Sequence, residues 1–336
     1  MQLPELLKLN NGHEVENIND WLVRRAEIID ILTNECYGEL IPAPEKIEVM
    51  PIHNIRLYGT KSTVMGEIYD IIMPDLPFTL RFTLFLPQAD IYGKYPVIID
   101  GDQGWLNITH EIIDEITANG IALALFDRLD IVPDNGSSDR SHGLYKIYPD
   151  IDFYALMAWS WGYSRIIDAL ELRTDNIDTA KIAVTGHSRG GKAAMLAGAL
   201  DERVWLTNPN NSGLGGAGCI NYPDDGGERL ENILGAFPYW FSPNMKKYIG
   251  KEGEVPFDLH FLKALIAPRL LLTTEGLDDT WASPKATKMT LEAAMPSFEL
   301  YGKKENACMV YREGGHGHLL EDFSSLTSYI TERLTA

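Results

Sequence analysis

The chain has 336 residues, of which 45% are hydrophobic and 10% aromatic, a composition typical of a folded protein with a large core. Its formal net charge of −19 at pH 7 would repel a phosphate backbone, which argues against nucleic-acid binding. Three widely spaced cysteines, Cys36, Cys219 and Cys308, argue against both a disulfide framework and a cysteine-rich zinc site.

The first part of the chain has the pattern of a helix followed by antiparallel strands. Residues 18–35 predict an amphipathic helix within an N-terminal segment, residues 1–45. The apolar positions that carry this helical spacing are Trp21, Leu22, Ile28, Ile29 and Leu32. Three runs rich in β-forming residues follow and predict strands over 46–59, 62–74 and 78–87. Their spacing and turn residues indicate an antiparallel start to a sheet.

From residue 95 onward, short apolar runs alternate with helical stretches. The apolar runs cover 95–100, 121–127, 181–186, 269–275 and 308–312. Helical patterns cover 110–120, 153–173, the residues after Ser188, and 283–295. This alternation is typical of parallel strands that helices bury on both faces. We therefore predict a single α/β domain over 1–336 with a mostly parallel central sheet, capped by the loop-rich, aromatic segment 209–262.

The stretch "KIAVTGHSRGGKAAMLAGAL", residues 181–200, has the pattern of a nucleophile elbow. A strand-like run leads into Gly186, Ser188 and Gly190, and a helix-like run follows. A serine at such a sharp turn projects into the cleft above the sheet, and the two glycines remove side chains that would clash. The pattern predicts an α/β-hydrolase fold with Ser188 as the nucleophile. The alternative is an ordinary glycine-rich turn with a capping serine.

A nucleophilic serine needs a base, and the base needs an orienting acid, which in this fold follow in the order serine, acid, histidine. His316 lies in the glycine-rich loop "REGGHGHLL" after a strand-like run and is the first candidate for the base, with His318 as the alternative. The loop "TTEGLDDTWASP" supplies the acid. Asp279 is favoured there, Asp278 stays open, and Glu275 is a weaker candidate.

The oxyanion hole needs N–H donors, and two places in the chain offer them. One donor is the N–H of Arg189, the residue after the nucleophile. The other would come from Gly101 and Asp102, after the apolar run 95–100, the alternative being that these residues form an ordinary turn. Arg189 and Lys192 both lie in the first turn of a helix, where the helix dipole disfavours positive charge. We expect them to stabilise oxygen anions or to contact substrate hydroxyls, the alternative being that both side chains reach into solvent.

Two further residues are candidates for the pocket wall. Trp240 belongs to the aromatic run "AFPYWFSPNMKKY" within the predicted cap. His260 has helical neighbours, and this pattern favours a structural or pocket-lining role over the role of the base. No cofactor and no metal are expected.

Several stretches, taken together, resemble the glucuronoyl esterase family over most of the chain. They are "WLVRRAEIIDILTNECYGELI", "VTGHSRGGKAAMLAGALDERVWLTNPNNSG", "FPYWFSPNMKKY", "PFDLHFLKALIAPR", "DDTWASPK" and "GGHGH". The resemblance implies a serine-type α/β-hydrolase without a metal, which cleaves the ester between 4-O-methyl-glucuronic acid on xylan and lignin alcohols. It also implies Ser188 as nucleophile, His316 as base and Arg189 as oxyanion stabiliser. Lys192 would contact the sugar hydroxyls, and Trp281 would pack on the uronate ring.

The chain departs from the family pattern at two positions next to these residues. Asn211 stands where many members carry the glutamate of the triad, and an asparagine cannot neutralise an imidazolium. The resemblance therefore implies Asp279 as the acid, at the position that other members use. His187 replaces the cysteine before the nucleophile and removes a disulfide seen in fungal relatives.

The expected function is hydrolysis of a glucuronoyl ester through an acyl-enzyme, with a small-molecule or oligosaccharide ester as the substrate. A carbohydrate acetyl esterase or general carboxylesterase, and a non-catalytic binding protein on a hydrolase scaffold, are the alternatives. No apolar run approaches the ~18 residues that span a bilayer, so no membrane partner is expected. The first residues lack the basic and apolar regions of a secretory signal, which predicts a cytoplasmic location.

Overall fold

The computed structural model of the chain describes residues 3–57, 64–87, 93–136, 139–172, 175–222 and 226–335. The predicted strand ends at 58–59 and 62–63, the predicted helix end at residue 173, and residues 223–225 of the predicted cap lie outside the described residues. All three cysteines are free thiols. In these ranges, no helix is both long and apolar enough to cross a membrane.

The described strands form one nine-stranded sheet in the order β1-β2-β3-β5-β4-β6-β7-β8-β9. Their bounds are β1 Glu48–Leu57, β2 Val64–Met73, β3 Phe78–Leu86, β4 Tyr95–Asp100, β5 Ala122–Phe126, β6 Ile177–His187, β7 Val204–Asn210, β8 Leu270–Gly276 and β9 Ala307–Arg312. The pairs from β1 to β3, and that of β3 with β5, are antiparallel, whereas every pair from β5 to β9 is parallel. This is the mostly parallel sheet with antiparallel N-terminal strands that the sequence predicts.

Helices cover both faces of this sheet. The α-helices are α1 Ile18–Leu32, α2 His110–Ala118, α3 Gly143–Ile147, α4 Ala155–Leu172, α5 Arg189–Leu200, α6 Leu230–Ala236, α7 His260–Ile266, α8 Pro284–Leu300 and α9 Leu320–Thr335. On one face α2 and α9 enclose an apolar core around Ile98, Ile116 and Phe323. On the other face a larger core includes residues of α1, α4, α5 and α7. The predicted α/β-hydrolase fold is therefore confirmed.

The N-terminal segment packs on the larger core. Trp21, Ile28 and Leu32 of α1 are buried there, but Leu22, which the helical pattern places among the apolar positions, is exposed. The helix ends at Leu32 and continues as a π-helical turn, Thr33–Tyr37, so it is shorter than the predicted 18–35. The Tyr37 hydroxyl donates to the carbonyl of Gly215 (2.9 Å), which fastens this segment to the loops above the sheet.

One strand of the parallel region has no counterpart in the predicted elements. β7 reads "VWLTNPN", and its polar side chains Thr207, Asn208 and Asn210 are buried. Asn208 is bonded to both neighbouring strands, because its Nδ2 donates to the carbonyl of Leu272 (2.7 Å) and its Oδ1 accepts from Thr185 Oγ1 (2.8 Å). An apolar-run criterion therefore misses a strand whose buried polar side chains find partners on the adjacent strands.

Candidate active site

The centre of the site is the turn between β6 and α5. Ser188 lies there with φ 53° and ψ −115°, a backbone conformation that residues with a side chain rarely adopt. A Cβ on Gly186 would lie 2.6 Å from the carbonyl carbon of Gly190, and a Cβ on Gly190 would lie 2.1 Å from Asp102 Oδ2. The Ser188 N–H donates to the carbonyl of Asn210 on β7 (2.9 Å). The strand–serine–helix geometry of a nucleophile elbow is therefore present.

His316 and Asp279 form a hydrogen-bonded pair next to this turn. Asp279 follows β8, and His316 lies in the loop between β9 and α9. His316 Nδ1 donates to Asp279 Oδ2 at 2.6 Å. Burial raises the pKa of Asp279, but hydrogen bonds from His316, from the Ala282 N–H and from Asn211 outweigh it and hold the pKa below its usual value. The carboxylate is ionised at neutral pH and leaves the second imidazole nitrogen of His316 available.

The competing candidates for base and acid, His318, Asp278 and Glu275, lie outside the hydrogen-bonded pair of His316 and Asp279. The His318 ring is buried and stacked on Phe323 with centroids 4.0 Å apart, and its two ring nitrogens have no hydrogen-bond partner in the part of the chain that the structure describes. Its pKa lies well below the usual value because burial penalises the charged ring. Asp278 is exposed. Glu275 is fully buried on β8, and burial raises its pKa to about 8.

Asn211, one of the two departures from the family pattern, touches the acid directly. Its Nδ2 donates to Asp279 Oδ2 (2.7 Å), and its Oδ1 accepts from the N–H of Gly276 (3.0 Å). Its backbone has φ 42°, in the left-handed region, so the end of β7 turns towards the loop after β8. The amide thus connects the carboxylate to the sheet edge.

The second departure, His187, packs against the base. The centroid of its ring lies 4.5 Å from that of His316. The Nδ1 atom donates to Asn210 Oδ1 (2.7 Å), and burial lowers the pKa of the ring to about 4. A neutral imidazole therefore stands where the family pattern has a cysteine.

Arg189 lies beside the serine with its guanidinium in a fixed environment. Its Nη1 donates to Asp134 Oδ2 (2.7 Å). The guanidinium carbon lies 4.9–5.0 Å from the ring centroids of Trp105, Phe237 and Trp240, which is cation–π distance. The side chain therefore does not extend freely into solvent.

The structure does not support Gly101 and Asp102 as oxyanion donors. The Gly101 N–H donates to the Tyr163 hydroxyl (3.2 Å), and the Asp102 N–H donates to Asp100 Oδ1 (2.7 Å). Both donors are thus occupied by buried acceptors below the cleft. The Asp102 carboxylate has a different task, since it accepts from the His187 N–H at 2.9 Å and from Arg128 Nε, also at 2.9 Å.

A cleft of about 510 Å³ opens above the serine. Among its lining residues are Ser188, Arg189, Lys192, Asn211, Glu228, Phe237, Trp240, Trp281 and His316. Lys192 Nζ donates to the carbonyl of Ser212 (2.5 Å) and lies 3.7 Å from Glu228 Oε2. Burial lowers the pKa of Lys192, and Glu228 opposes that effect. Trp281 is 51% exposed at the rim, whereas Trp240 is buried in the wall.

His260 is not part of this cleft. It is buried at the start of α7, and its Nε2 donates to the carbonyl of Pro4 (3.1 Å) in the N-terminal segment. Burial lowers its pKa to about 4, so the ring is neutral. The assignment of His260 to the substrate pocket is therefore not supported, and the residue connects α7 to the beginning of the chain.

Comparison with known proteins decides the family. Residues 77–302 match the family model described as glucuronyl esterase, fungi. The 4-O-methyl-glucuronoyl methylesterase 1 of Wolfiporia cocos is 33% identical over 94% of this chain and 76% of its own length. A related methylesterase from Cerrena unicolor is also 33% identical, and the chain spans 65% of its length.

The chain belongs to the glucuronoyl esterase family.

Solved structures agree with this membership. A glucuronoyl esterase from Caldicellulosiruptor kristjansonii superposes with a TM-score of 0.86 at 30% identity, over 100% of this chain and 91% of that one. A serine-to-alanine variant of the glucuronoyl esterase from Sporotrichum thermophile, in complex with methyl 4-O-methyl-β-D-glucopyranuronate, gives a TM-score of 0.79 at 28% identity, over 99% and 88%. The predicted family, the serine carboxylesterase class and the expected glucuronoyl ester hydrolysis are confirmed at the level of the family.

The predicted cytoplasmic location is wrong. The curated relatives are fungal 4-O-methyl-glucuronoyl methylesterases. The resemblance implies an ester between xylan and lignin, which lies outside the cell, so this kinship points to an extracellular rather than a cytoplasmic protein. The first residues of the chain are no guide to its compartment.

Sequence reasoning missed two residues that shape this glucuronoyl esterase site. Asp134 holds Arg189, although 55 residues separate them and the loop around Asp134 has no regular pattern. Glu228 lies in the cleft beside Lys192, in a segment that the sequence marks only as loop-rich. A carboxylate in a polar loop carries no sign of burial in the sequence, so neither residue could be distinguished from a solvated charge.

Proposed function

We propose that this chain hydrolyses esters of 4-O-methyl-glucuronic acid, with Ser188, His316 and Asp279 as the catalytic triad. One observation carries the proposal: a histidine bonded to a buried, ionised carboxylate and a serine on a strained elbow open onto the same cleft. Two cations, Arg189 and Lys192, line that cleft as well. We propose that residues 1–336 form a single catalytic domain around this cleft.

The chemistry follows from these positions. His316 takes the proton of Ser188 Oγ as the oxygen attacks the uronate carbonyl, and Asp279 stabilises the imidazolium that forms. The carbonyl oxygen becomes an anion, which the Arg189 guanidinium and the Arg189 N–H in the first turn of α5 would stabilise. His316 then protonates the departing alcohol, and water, activated by His316, releases the uronic acid from Ser188.

The acyl side of the substrate has its own partners in the cleft. Lys192 and Glu228 provide a donor and an acceptor 3.7 Å apart, an arrangement that suits vicinal sugar hydroxyls. Trp281 exposes half of its surface at the rim, where its ring would stack on the apolar face of a pyranose. These groups favour a uronate over a plain acetyl group, which could use neither.

Steady-state hydrolysis of benzyl glucuronate and of 4-nitrophenyl acetate tests the proposal. We expect preference for the uronate ester, and loss of both activities in Ser188→Ala. Lys192→Ala should lower kcat/KM on the uronate ester alone, while Lys288→Ala, a lysine exposed outside the cleft, serves as the matched control and should change neither. Hydrolysis of acetate only, with Lys192→Ala silent, would keep an esterase but refute the glucuronoyl substrate.

Labelling with a fluorophosphonate separates the remaining alternative. A folded sample should be modified at Ser188, and His316→Ala should slow the modification because the base is lost. A folded chain that reacts with neither ester nor fluorophosphonate would be a binding protein on a hydrolase scaffold.

A further inference from the structure

Asp134 is a buried carboxylate at the back of the active-site cleft, and nothing in the chemistry above uses it. It lies after β5, and its side chain is fully buried. Oδ2 accepts from Arg189 Nη1 (2.7 Å), while Oδ1 accepts from the Tyr239 hydroxyl (2.5 Å) and from Trp240 Nε1 (3.0 Å). A second guanidinium, that of Arg128, lies 3.8 Å from Oδ2.

These donors fix the carboxylate on both oxygens. Burial raises the pKa of Asp134, but the hydrogen bonds from Tyr239 and Arg189 outweigh it and lower the pKa below the usual value, so the group is an anion. Hydrogen bonds from Tyr239 and Trp240 thus hold the anion on the side opposite to its contact with Arg189.

Aromatic rings also surround the guanidinium of Arg189, but they form no directional bond with it. Trp105, Phe237 and Trp240 surround it at 4.9–5.0 Å, so the planar group has little freedom to tilt. A guanidinium has five N–H donors. Within the described residues, Asp134 is the side-chain partner that the structure gives Arg189, and the group lines the cleft with 26% of its side chain exposed.

We propose that Asp134 is a positioning residue for the reaction: it anchors one edge of the Arg189 guanidinium so that the opposite edge presents its N–H groups to the oxyanion on the substrate carbonyl. The inference rests on the proposed role of Arg189 in stabilising that oxyanion. A donor that is already in place when charge develops needs no reorganisation during the reaction.

The opposite effect of Asp134 has to be weighed, because a carboxylate also reduces the positive potential of its partner. If that were its main effect, Asp134→Asn would strengthen the oxyanion interaction and raise kcat, since arginine stays charged without a partner. If anchoring dominates, the same substitution lets the guanidinium move, and a misplacement of about 1 Å costs up to ~100-fold in rate. The sign of the change in kcat therefore separates the two.

A double-mutant cycle between Asp134→Asn and Arg189→Ala tests the proposal on the glucuronate ester. Arg189→Ala should lower kcat by about 100- to 1000-fold, as removal of an oxyanion donor does. Asp134→Asn should lower kcat by about 10- to 100-fold with KM nearly unchanged, and it should cost less than about twofold once Arg189 is alanine, because the two groups act as one unit. Asp201→Asn removes a carboxylate from another arginine, Arg203, at the far end of α5, and should leave kcat unchanged.

Two other outcomes would contradict the proposal. An equal loss from Asp134→Asn in both backgrounds, or a rise in kcat, would overturn the anchoring role. If Arg189→Ala keeps full activity, the proposed role of Arg189 is wrong, and the proposed role of Asp134 is wrong with it. Loss of activity in Ser188→Ala would still support the proposed triad in that case.

A second variant covers the case in which Asp134→Asn does not fold. Tyr239→Phe removes one hydrogen bond from Asp134 Oδ1 and leaves the pair with Arg189 intact. Several-fold lower kcat in the wild-type background, and no loss in the Arg189→Ala background, would support the anchor. The same loss in both would contradict it.

Discussion

Gly190 is the position where the structure makes the strongest demand on one residue, and Gly190→Ala tests that demand. The added Cβ would lie 2.1 Å from Oδ2 and 2.3 Å from Oδ1 of Asp102, although such atoms essentially never come closer than 3.0 Å. The carboxylate must therefore retreat by about 0.9 Å. It is not free to do so, because it accepts from the His187 N–H and from Arg128 Nε, each at 2.9 Å.

The size of the effect follows from those two bonds. A hydrogen bond to a charged group contributes about 1.5–3 kcal/mol, so losing both would cost ~3–6 kcal/mol. With an unfolding entropy of about 2.1 cal/mol/K per residue, a chain of this length loses ~1.4 °C in Tm for each kcal/mol, or ~4–9 °C in all. His187 directly precedes the nucleophile, and a shift of its backbone would displace Ser188. We therefore expect kcat/KM on the glucuronate ester to fall as well.

Thermal unfolding and steady-state kinetics measure both effects, and Gly235→Ala is the matched control. A Cβ at Gly235 meets nothing within 4 Å, and the residue lies inside α6 at the edge of the same cleft. Alanine is the better helix former there, so Tm should hold or rise slightly. If Gly190→Ala unfolds and reacts like the wild type, Asp102 has room to move, and our account of the elbow is refuted.

Three further results are expected. Asp279→Asn should lower kcat by about 10⁴-fold, because an amide favours the wrong tautomer of the histidine, whereas Asp278→Asn should keep the wild-type rate in the same assay. His318→Phe should retain kcat while His316→Gln loses it, and similar losses in steady-state rates would contradict the choice of base. His260 has a pKa of about 4 in the folded state against 6.5 ordinarily, so its contribution to stability is complete above pH 6.5 and disappears towards pH 4. Urea unfolding at pH 7 and 4.5 should show the wild type losing ~2.5 kcal/mol more than His260→Gln, and equal losses would show that the ring is not held neutral.

Much of the sheet could be predicted from apolar runs, because parallel strands that are buried on both faces consist mainly of apolar residues. The run at 95–100 coincides with β4, and the runs at 121–127 and 308–312 differ from β5 and β9 by one residue at their ends. No helix is predicted over α9, although its sequence has a usable pattern: Phe323, Leu326 and Ile330 are buried at helical spacing.

The proposed triad could be inferred from the sequence because chain order and loop position limit the choices. The surroundings of the triad were not, since they depend on contacts between segments that are distant in sequence. Asp134 meets Tyr239 across 105 residues, and Gly101 and Asp102 have the right sequence position for an oxyanion donor, yet their N–H groups are bonded to buried side chains. Sequence position indicates which element a residue follows; it does not show which acceptor takes its N–H.

Asn211 shows how one departure from the family pattern can be explained by the choice of acid. Its Nδ2 and His316 Nδ1 donate to the same oxygen of Asp279, at 2.7 and 2.6 Å. A carboxylate at 211 would place two acids at that separation, and like charges so close cannot both ionise, so one would keep a proton and oppose the orienting role of the other. With Asp279 as the acid, an amide at 211 adds a donor and leaves a single carboxylate beside His316. With a carboxylate at 279, the asparagine at 211 therefore supplies a hydrogen-bond donor where a second acid would supply a competing charge.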